Sequence, residues 1–329
     1  MNIPATDGAR VGYEQLESFV VTAATTAGLA ADRAVLLARL LATNSLRGIV
    51  SHGAIQITTY ARLIRDGRLN GSPRVATVRE SPVSLLVDGD GGLGYFPAYE
   101  GTLALCEKVR ETGCGVLVTR NHGHFGAAGI YARLAVEHDL LVYVTSGHQL
   151  KLQPGAKLFS AAGGSPMAFA APTESGAPLL LDFGCMHDLY ASDPHRDEVA
   201  ELTPGLVLRS IGLGEICQTW GGLLSGLSLD PDPPAWGWPG ANQGALVFAF
   251  RIDLFSDAGR FKREVAKYRD RIRTLEPLPG FDESFAPGDV EAAYEAWFGE
   301  EGIPVSLEHL REFDALAEEL EIPRLSRLE

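Results

Sequence analysis

Short runs of consecutive apolar residues in the middle of the chain constrain the fold more than any other feature of this sequence. They span residues 114–119, 140–145, 167–171 and 179–181, and a further strand is predicted over residues 245–252. Unbroken apolar runs of this length are typical of strands buried within a sheet. Because helical patterns lie among these strands, the sequence predicts an α/β protein with a mixed central sheet and helices packed on it.

Both ends of the chain carry helical patterns instead. Apolar residues recur at helical spacing over residues 13–27, 31–46 and 55–66. From residue 258 the sequence is again helical and charged, and it ends with a predicted helix over residues 306–320. We therefore predict an N-terminal helical segment (1–75), a central α/β domain (76–264) and a C-terminal helical segment (265–329) that packs against the first.

Four further elements are predicted in the middle of the chain. A strand over residues 83–87 and a helix over residues 98–112 precede the first apolar run. Residues 206–227 are rich in small residues and predict one long helix. Residues 230–239 contain several prolines and tryptophans and predict a loop.

The composition narrows the classes of partner and the location. The formal net charge of the 329 residues is −14, so nucleic acids and acidic membranes are not expected as partners. The four cysteines lack C-x-x-C spacing, which argues against a zinc site or a disulfide scaffold and indicates the cytoplasm. The N-terminus lacks a signal-peptide pattern, and no apolar run approaches the roughly 20 residues of a membrane span.

Residues 89–94 match the pattern G-x-G-x-x-G after a predicted strand. A dinucleotide-binding loop of this kind holds a pyrophosphate on main-chain N–H groups. Here Asp88 and Asp90 would place two negative charges beside that anion, and three helices precede the strand. We therefore interpret the pattern as a glycine-rich turn between a strand and a helix, with positive φ angles.

A histidine next to a serine lies in the segment L-R-G-I-V-S-H-G (46–53), between two helical patterns. The imidazole of His52 exchanges protons near neutral pH, and Ser51 can orient the ring or bind a substrate oxygen. A single histidine in a turn is more often structural or simply solvated, and that alternative stays open.

The segment N-H-G-H-F-G-A-A-G (121–129) follows a predicted strand and opens a helix. Its small residues let a ligand approach the main chain, so we predict an anion or dinucleotide contact there. His122 and His124 lack a third residue at metal-ligand spacing, so no metal is expected. Asp182, at another strand end, is either a ribose ligand or a turn aspartate, and Arg47 and Arg209 are either ligand contacts or salt-bridge partners.

Several of these segments, in the same order along the chain, resemble the malate/L-lactate dehydrogenase-like family that lacks a Rossmann fold. They are the segment 46–53, V-D-G-D-G-G-L-G (87–94), the segment 121–129, G-x-x-P-x-A (163–168), Leu181-Asp182, and the tail from residue 287 to residue 323. The resemblance implies a sulfolactate-dehydrogenase-like fold with a mixed, largely antiparallel central sheet. It also implies an NAD(P)-dependent oxidoreductase and a homodimer with its active site between the two subunits.

The resemblance implies roles for individual residues. His52 would be the proton donor, oriented by Ser51, and Arg47, Gln56 and Gly164 would lie at the substrate. NADH or NADPH would contact the central domain and the tail at His124, Phe125, Gly126, Ala127, Ala128, Ser146, Asp182, Phe183, Gly184, Arg209, Pro287, Gly288 and Asp289.

The chain departs from the family pattern at the substrate. Gln56 stands where the family commonly has an arginine that binds the substrate carboxylate, and a neutral amide cannot replace that charge-assisted pair. Gly164 replaces a threonine, and Arg209 replaces a lysine. The stretch 183–208 is shorter than in the family and lacks the family's relay carboxylate, for which Asp188 or Asp193 could substitute.

The resemblance implies a 2-oxo acid, a 2-hydroxy acid or a cyclic imine as the substrate. The departures predict instead a derivative without a free carboxylate, either a small molecule or one tethered to a carrier. Two alternatives stay open. One is a lyase, isomerase or condensing enzyme that uses Ser51 and His52 without net redox chemistry. The other is a family member that serves as a partner subunit or a binding module.

Overall fold

The computed structural model describes residues 4–229 and 236–328, which form two compact units. We call residues 4–73 with 285–328 the terminal unit, and Arg74–Ser284 the central unit. The C-terminal segment thus joins the terminal unit from Phe285 rather than from the predicted residue 265.

Ten helices and nine strands occur in the described residues. The helices are α1 (Tyr13–Thr26), α2 (Ala31–Leu46), α3 (Ile57–Arg65), α4 (Tyr95–Thr112), α5 (Gly129–Glu137), α6 (Arg196–Leu202), α7 (Pro204–Cys217), α8 (Ala258–Ile272), α9 (Asp289–Glu301) and α10 (Leu307–Leu320). The strands are β1 (Ala9–Val11), β2 (Ala76–Ser81), β3 (Ser84–Asp88), β4 (Cys114–His122), β5 (Leu140–His148), β6 (Pro166–Ala171), β7 (Leu179–Gly184), β8 (Gln243–Arg251) and β9 (Ile303–Val305).

The two ends of the chain meet within the terminal unit. Strand β1 pairs antiparallel with β9, and Ala9 lies opposite Val305. Helices α1 and α2 bury apolar side chains such as Leu37, which is fully buried. Phe19 of α1 meets Phe313 of α10 edge to face, with 5.4 Å between the ring centroids. The prediction that the N- and C-terminal helical segments pack together is confirmed.

Helix α8 belongs to the central unit because of the contacts that it makes there. Lys262 pairs with the carboxylate of Asp139 at 2.9 Å. Arg269 is buried and donates to the main-chain carbonyl of Ala177. The charged pattern from residue 258 predicts a helix correctly but does not reveal which unit the helix packs on.

In the described part of the central unit, seven strands form one sheet in the order β2-β3-β4-β8-β5-β6-β7. Strands β3 and β4 are parallel, and the other neighbouring pairs are antiparallel. The predicted apolar runs supply its inner strands, where Leu117, Val144 and Val247 are fully buried. The prediction of a mixed, largely antiparallel sheet is confirmed.

The glycine-rich turn between β3 and α4 is held by its own acidic side chain. The carboxylate of Asp88 accepts hydrogen bonds from Arg120 (2.9 Å), Asn121 (2.7 Å) and the main-chain N–H of Asp90 (2.9 Å). Asp90 and Gly91 have positive φ angles of 49° and 76°. The interpretation of this pattern as a turn between a strand and a helix is confirmed.

The helix predicted over residues 206–227 is interrupted. Helix α7 ends at Cys217, and a π-helical turn (Gln218–Gly222) and a 3-10 turn (Leu223–Ser225) follow. The cause is a close backbone approach, since a Cβ on Gly221 would lie 2.4 Å from the carbonyl carbon of Ser146. A regular helix with side chains at this position could not lie so close to β5.

The sequence does not predict β1, β2, β9 or α6. Strand β2 and helix α6 expose most of their side chains, so they lack the burial pattern on which the predictions rest. Residues 230–235 of the predicted loop lie outside the described residues. None of the described helices combines the length and the apolar composition that a membrane crossing requires.

Candidate active site

The Ser51–His52 pair lies between α2 and α3 in a 3-10 turn, Val50–His52. Ser51 Oγ is 2.9 Å from Nδ1 of His52. The buried Asn44, on α2, donates from Nδ2 to the main-chain carbonyl of His52 at 2.9 Å. Helix α2 therefore fixes the main chain of the turn, and Ser51 fixes the ring.

The imidazole of His52 is half-buried, and this burial lowers its pKa below the ordinary value of 6.5. The neutral ring therefore predominates at neutral pH. In that form it can take a proton, and in its protonated form it can give one to a substrate. This is the chemistry that the sequence predicts for His52.

Gln56 stabilises the same turn through a side-chain hydrogen bond. Its amide Nε2 donates to the main-chain carbonyl of Ser51 at 2.6 Å. The side chain predicted at the substrate is thus a neutral amide whose nitrogen is already bonded within the chain.

Arg47 directs its guanidinium toward helix α9. Its Nε and Nη2 donate to the two carboxylate oxygens of Glu295, at 2.9 and 3.1 Å. Of the two interpretations that the sequence leaves open, the structure favours the salt-bridge partner over the substrate contact. The cation is satisfied by the chain itself.

Five of the predicted cofactor contacts lie between β4 and α5: His124, Phe125, Gly126, Ala127 and Ala128. Phe125 is fully buried and stacks on Tyr131, with 5.1 Å between the ring centroids. Ala127 and Ala128 are buried as well. These three side chains face the protein interior, so a cofactor would meet this segment through its main chain or through the half-buried His124.

Asp182, near the end of β7, binds the first residue of α5. Its Oδ2 accepts the main-chain N–H of Gly129 at 2.8 Å, and a Cβ on Gly129 would lie 2.5 Å from that oxygen. A carboxylate is favoured at a helix N-terminus. The carboxylate of Asp182 therefore binds one N–H group at this helix start and joins the start of α5 to the end of β7.

The strand register brings more of the predicted cofactor contacts to the same edge of the sheet. Thr145 lies opposite Met167, and Met167 lies opposite Phe183. Ser146, next along β5, is buried, while Phe183 packs on a buried apolar cluster. Gly184 ends β7. Ser146, Phe183 and Gly184 thus share an edge with Asp182.

Two predicted residues of the central unit stand apart from this packing. A Cβ on Gly164 would meet nothing within 4 Å, so neither contacts nor a positive φ require glycine there. Arg209 lies on α7 with its side chain exposed. Both positions are open to a ligand.

Pro287, Gly288 and Asp289 lie in the terminal unit, at the start of α9. Gly288 has a φ of 93°, and the buried Asp289 accepts the main-chain N–H of Ala286 at 2.8 Å. Pro287 is exposed. The carboxylate of Asp289 thus holds the turn that leads into the helix.

His122 is a core residue. Its Nδ1 lies 2.7 Å from the carbonyl of Gly123, so Nδ1 carries the proton, and its Nε2 accepts from Thr119 at 2.8 Å. Burial lowers the pKa of His122 to about 4. Within residues 4–229 and 236–328, no group of three histidine, cysteine or acidic residues could hold a metal ion.

The two carboxylates considered for a relay lie in the turn after β7. Asp188 is exposed, with a φ of 65°. Asp193 accepts the main-chain N–H of Tyr190 at 2.6 Å, and the hydroxyl of Tyr190 donates to the carbonyl of Gly164 at 3.3 Å. Asp193 therefore stabilises a turn that reaches the open position beside Gly164.

The sequence does not single out Asn44 or Glu295. Asn44 carries a usable signal, because it is a polar residue in line with the buried leucines of α2. Glu295 carries none, since its partner lies 248 residues away in the sequence.

Comparisons with known proteins agree with this architecture. The family described as malate/L-lactate dehydrogenase matches residues 11–186 of this chain. A malate dehydrogenase from Pyrococcus abyssi is 33% identical over 223 residues, which cover 68% of this chain and 61% of that protein. The chain thus matches about three fifths of the length of that relative.

Solved structures show the same fold over almost the whole chain. A malate dehydrogenase from Pyrococcus horikoshii superposes with a TM-score of 0.83 at 25% identity, covering 99% of both chains. The sulfolactate dehydrogenase from Methanocaldococcus jannaschii gives a TM-score of 0.76 at 22% identity, covering 97% of this chain and 100% of that one. The predicted sulfolactate-dehydrogenase-like fold is confirmed.

Proposed function

The chain belongs to the malate/L-lactate dehydrogenase family, and from that membership we propose that it is an NAD(P)-dependent oxidoreductase that reduces a C=O or C=N bond. The observation that carries the proposal is the Ser51–His52 pair, in which a hydroxyl 2.9 Å from Nδ1 orients a half-buried imidazole. NADH or NADPH, when bound, supplies the hydride. His52 supplies the proton.

The proton transfer sets the expected pH dependence. Reduction adds a proton to the substrate oxygen or nitrogen, which requires the protonated ring of His52. Burial lowers the pKa of His52 below 6.5, so reduction accelerates as the pH falls toward that pKa. The reverse oxidation requires the neutral ring and is favoured above it. Asn44 and Gln56 hold the main chain of the turn during both steps.

The substrate is proposed to lack a free carboxylate, or to carry its acyl group on a carrier. Among the proposed substrate contacts Arg47, Gln56 and Gly164, the cation of Arg47 is paired with Glu295. The remaining two contacts are neutral. Binding a carboxylate without a cation leaves the charge uncompensated, which is costly in a partly buried site.

The predicted cofactor residues suit different parts of the nucleotide. Asp182 is a carboxylate fixed near the end of β7, two residues before Gly184, which suits ribose hydroxyls. Phosphates require positive charge or free N–H groups, and the carboxylate of Asp182 at the N–H of Gly129 makes the start of α5 unfavourable for a phosphate. The exposed guanidinium of Arg209 suits a phosphate instead.

The homodimer implied by the sequence is also proposed, and an exposed apolar stripe supports it. Leu206, Leu213, Trp220 and Leu224 follow α7 and the turns after it, with 59%, 46%, 45% and 61% of each residue exposed. Such stripes commonly mark contact surfaces between proteins. In analytical ultracentrifugation, Trp220→Glu is expected to shift the dimer toward monomer. An equal shift with Leu275→Glu, an exposed leucine outside the stripe, would contradict the assignment.

The redox function is tested by titrating the purified protein with NADH and NADPH while nucleotide fluorescence is followed. Turnover is then measured with neutral 2-oxo amides and esters against the matched 2-oxo acids. We expect one nucleotide to bind below millimolar concentration and to be oxidised fastest with a neutral substrate. If neither nucleotide binds at millimolar concentration, the redox proposal fails, and the non-redox acid–base alternative with Ser51 and His52 replaces it.

A further inference from the structure

The central unit contains a cavity of about 250 Å³ beside the π-helical turn Gln218–Gly222. Leucine side chains supply most of its apolar lining: Leu150, Leu152, Leu223, Leu227 and Leu229. His148 and Gln218 contribute polar groups, and Glu215 contributes a carboxylate. None of these residues belongs to the proposed proton-transfer or cofactor contacts.

Close backbone contacts position the residues of this cavity. A Cβ on Gly147 would lie 2.5 Å from the main-chain nitrogen of Gly222, and a Cβ on Gly244 would lie 2.6 Å from the carbonyl oxygen of Gly221. Glycines in β5, β8 and the π-helical turn therefore let main chain pack on main chain. This packing brings Gln218 against His148 at the end of β5. A π-helical turn often lies at a functional site.

The ring of His148 is held in one tautomer. Its main-chain N–H donates to Oε1 of Gln218 at 3.0 Å, which leaves the amide Nε2 of Gln218 directed at the ring, 3.4 Å from Nδ1. An amide nitrogen can only donate, so Nδ1 accepts and Nε2 carries the proton. Among residues 4–229 and 236–328, Nε2 of His148 has no hydrogen-bond partner. Burial also lowers the pKa of His148, which keeps the ring neutral.

The size, charge and polarity of the cavity define the ligand. An apolar cavity of about 150 Å³ in another protein binds benzene, so this one has room for a ring with a short substituent. The carboxylate of Glu215 and the overall negative charge disfavour an anion. The N–H of His148 calls for one hydrogen-bond acceptor. We propose that this cavity binds a neutral, mostly hydrocarbon small molecule whose single carbonyl or hydroxyl oxygen accepts a hydrogen bond from His148.

Acetophenone is the probe, because it combines an apolar ring with one carbonyl oxygen. Its binding to the full chain is measured by calorimetry and by saturation-transfer NMR, with benzoate as the charged analogue of the same size. We expect acetophenone to bind at least tenfold more tightly than benzoate. Ala161→Phe, which fills the cavity, is expected to weaken acetophenone binding at least tenfold. His148→Phe keeps the ring volume and is expected to weaken it about fivefold through the lost hydrogen bond.

Ala156→Phe is the matched control, because Ala156 is an exposed alanine of the same segment that does not line the cavity. It is expected to leave binding unchanged. If Ala161→Phe does not fold, Thr219→Trp is used instead, because Thr219 also lines the cavity and the larger side chain would fill it. Acetophenone that fails to bind at millimolar concentration, or that binds equally to the filled and native cavities, overturns the proposal.

The proposal does not depend on the redox function. His52→Ala is expected to retain acetophenone binding while losing turnover. Loss of acetophenone binding in His52→Ala, with binding retained in Ala161→Phe, would place the probe at the proton-transfer site and refute the cavity.

Discussion

Two segments of this molecule, a 3-10 turn and the end of β4, place a histidine directly before a glycine, and the two histidines have opposite properties. His52 is half-buried, and one of its ring nitrogens lies against the hydroxyl of Ser51. His122 is fully buried, and both of its ring nitrogens are bonded to the chain, to Thr119 and Gly123. The local sequence is similar, but only the first ring can exchange protons with a ligand. The comparison shows that the surroundings of a histidine decide between chemistry and packing.

The largest effect is expected from removing the first ring. His52→Ala should lower turnover by about a hundred- to ten-thousand-fold, because a general acid is lost. Its melting temperature should change less than that of His122→Ala, since the His52 ring is only half-buried whereas the His122 ring is fully buried. Steady-state kinetics with the best neutral substrate, together with thermal unfolding, check this. His122→Ala is the counterpart and should unfold more readily. Equal losses of turnover from the two variants at equal stability would contradict the conclusion that only the His52 ring takes part in proton transfer.

The second histidine should appear in the pH dependence of stability. The pKa of His122 is about 4 in the folded chain and 6.5 in the unfolded chain. Between these values the unfolded chain binds more protons, so the free energy of unfolding falls as the pH drops from 6.5 to 4, by roughly 3 kcal/mol. Above pH 6.5 this contribution is fully present. Urea unfolding at several pH values should show a shallower decline for His122→Gln. An identical decline would show that His122 is not the group responsible.

Gln56 is the position at which the segment around His52 departs from the usual family pattern. A substitution there tests whether this departure sets the substrate preference. Gln56→Arg places a cation four residues after His52, the proposed proton donor. A charge-assisted pair should raise the preference for 2-oxo acids over their neutral amides by about 10- to 100-fold in kcat/KM. Gln56→Met is the control, because it removes the bond to Ser51 without adding charge. An equal change of preference in both variants would show that the carboxylate does not reach this position.

A smaller effect is expected behind the His52 turn, at the Arg47–Glu295 pair. The Glu295 side chain is 39% exposed, so solvent screens the pair, and Glu295→Gln should lower the free energy of unfolding by about 1 kcal/mol. Glu264→Gln is the control, since its pair with Lys267 is 62% exposed on both sides and should matter less. Chemical denaturation measures both. If Glu295→Gln instead leaves stability unchanged and improves binding of 2-oxo acids, Arg47 is a substrate contact.

Much of the fold follows from the sequence because its signals are local. The apolar runs predict β4, β5, β6, β7 and β8, and helical spacing predicts α2 with its observed ends. The interruption after Cys217 escapes prediction because its cause is a contact between Gly221 and distant β5. The same holds for α8, which packs on the central unit through partners far away in the sequence.

The candidate site is predictable only in part, for a similar reason. The motif around His52 identifies the pair with Ser51, since the two residues are neighbours. The motif does not show that Arg47 pairs with Glu295 or that Asp182 bonds to Gly129, because those partners come together only in the folded chain. A residue that matches a family motif can therefore hold the fold together or bind a ligand, and only its contacts in the folded chain show which of the two it does.

The smallest effect on stability is expected at Gly164, and its neighbour Gly163 provides the contrast. Gly163 has a φ of 62°, and a Cβ there would lie 2.3 Å from Nε2 of Gln218, so Gly163→Ala should cost about 1 to 3 kcal/mol of stability. A Cβ on Gly164 meets nothing within 4 Å, so Gly164→Thr should change stability by less than about 0.5 kcal/mol. If Gly164 is open because a substrate lies there, Gly164→Thr should lower kcat/KM at unchanged melting temperature. Unchanged kinetics would place the substrate elsewhere, because the side chain is added where a Cβ meets no atom of the described residues within 4 Å.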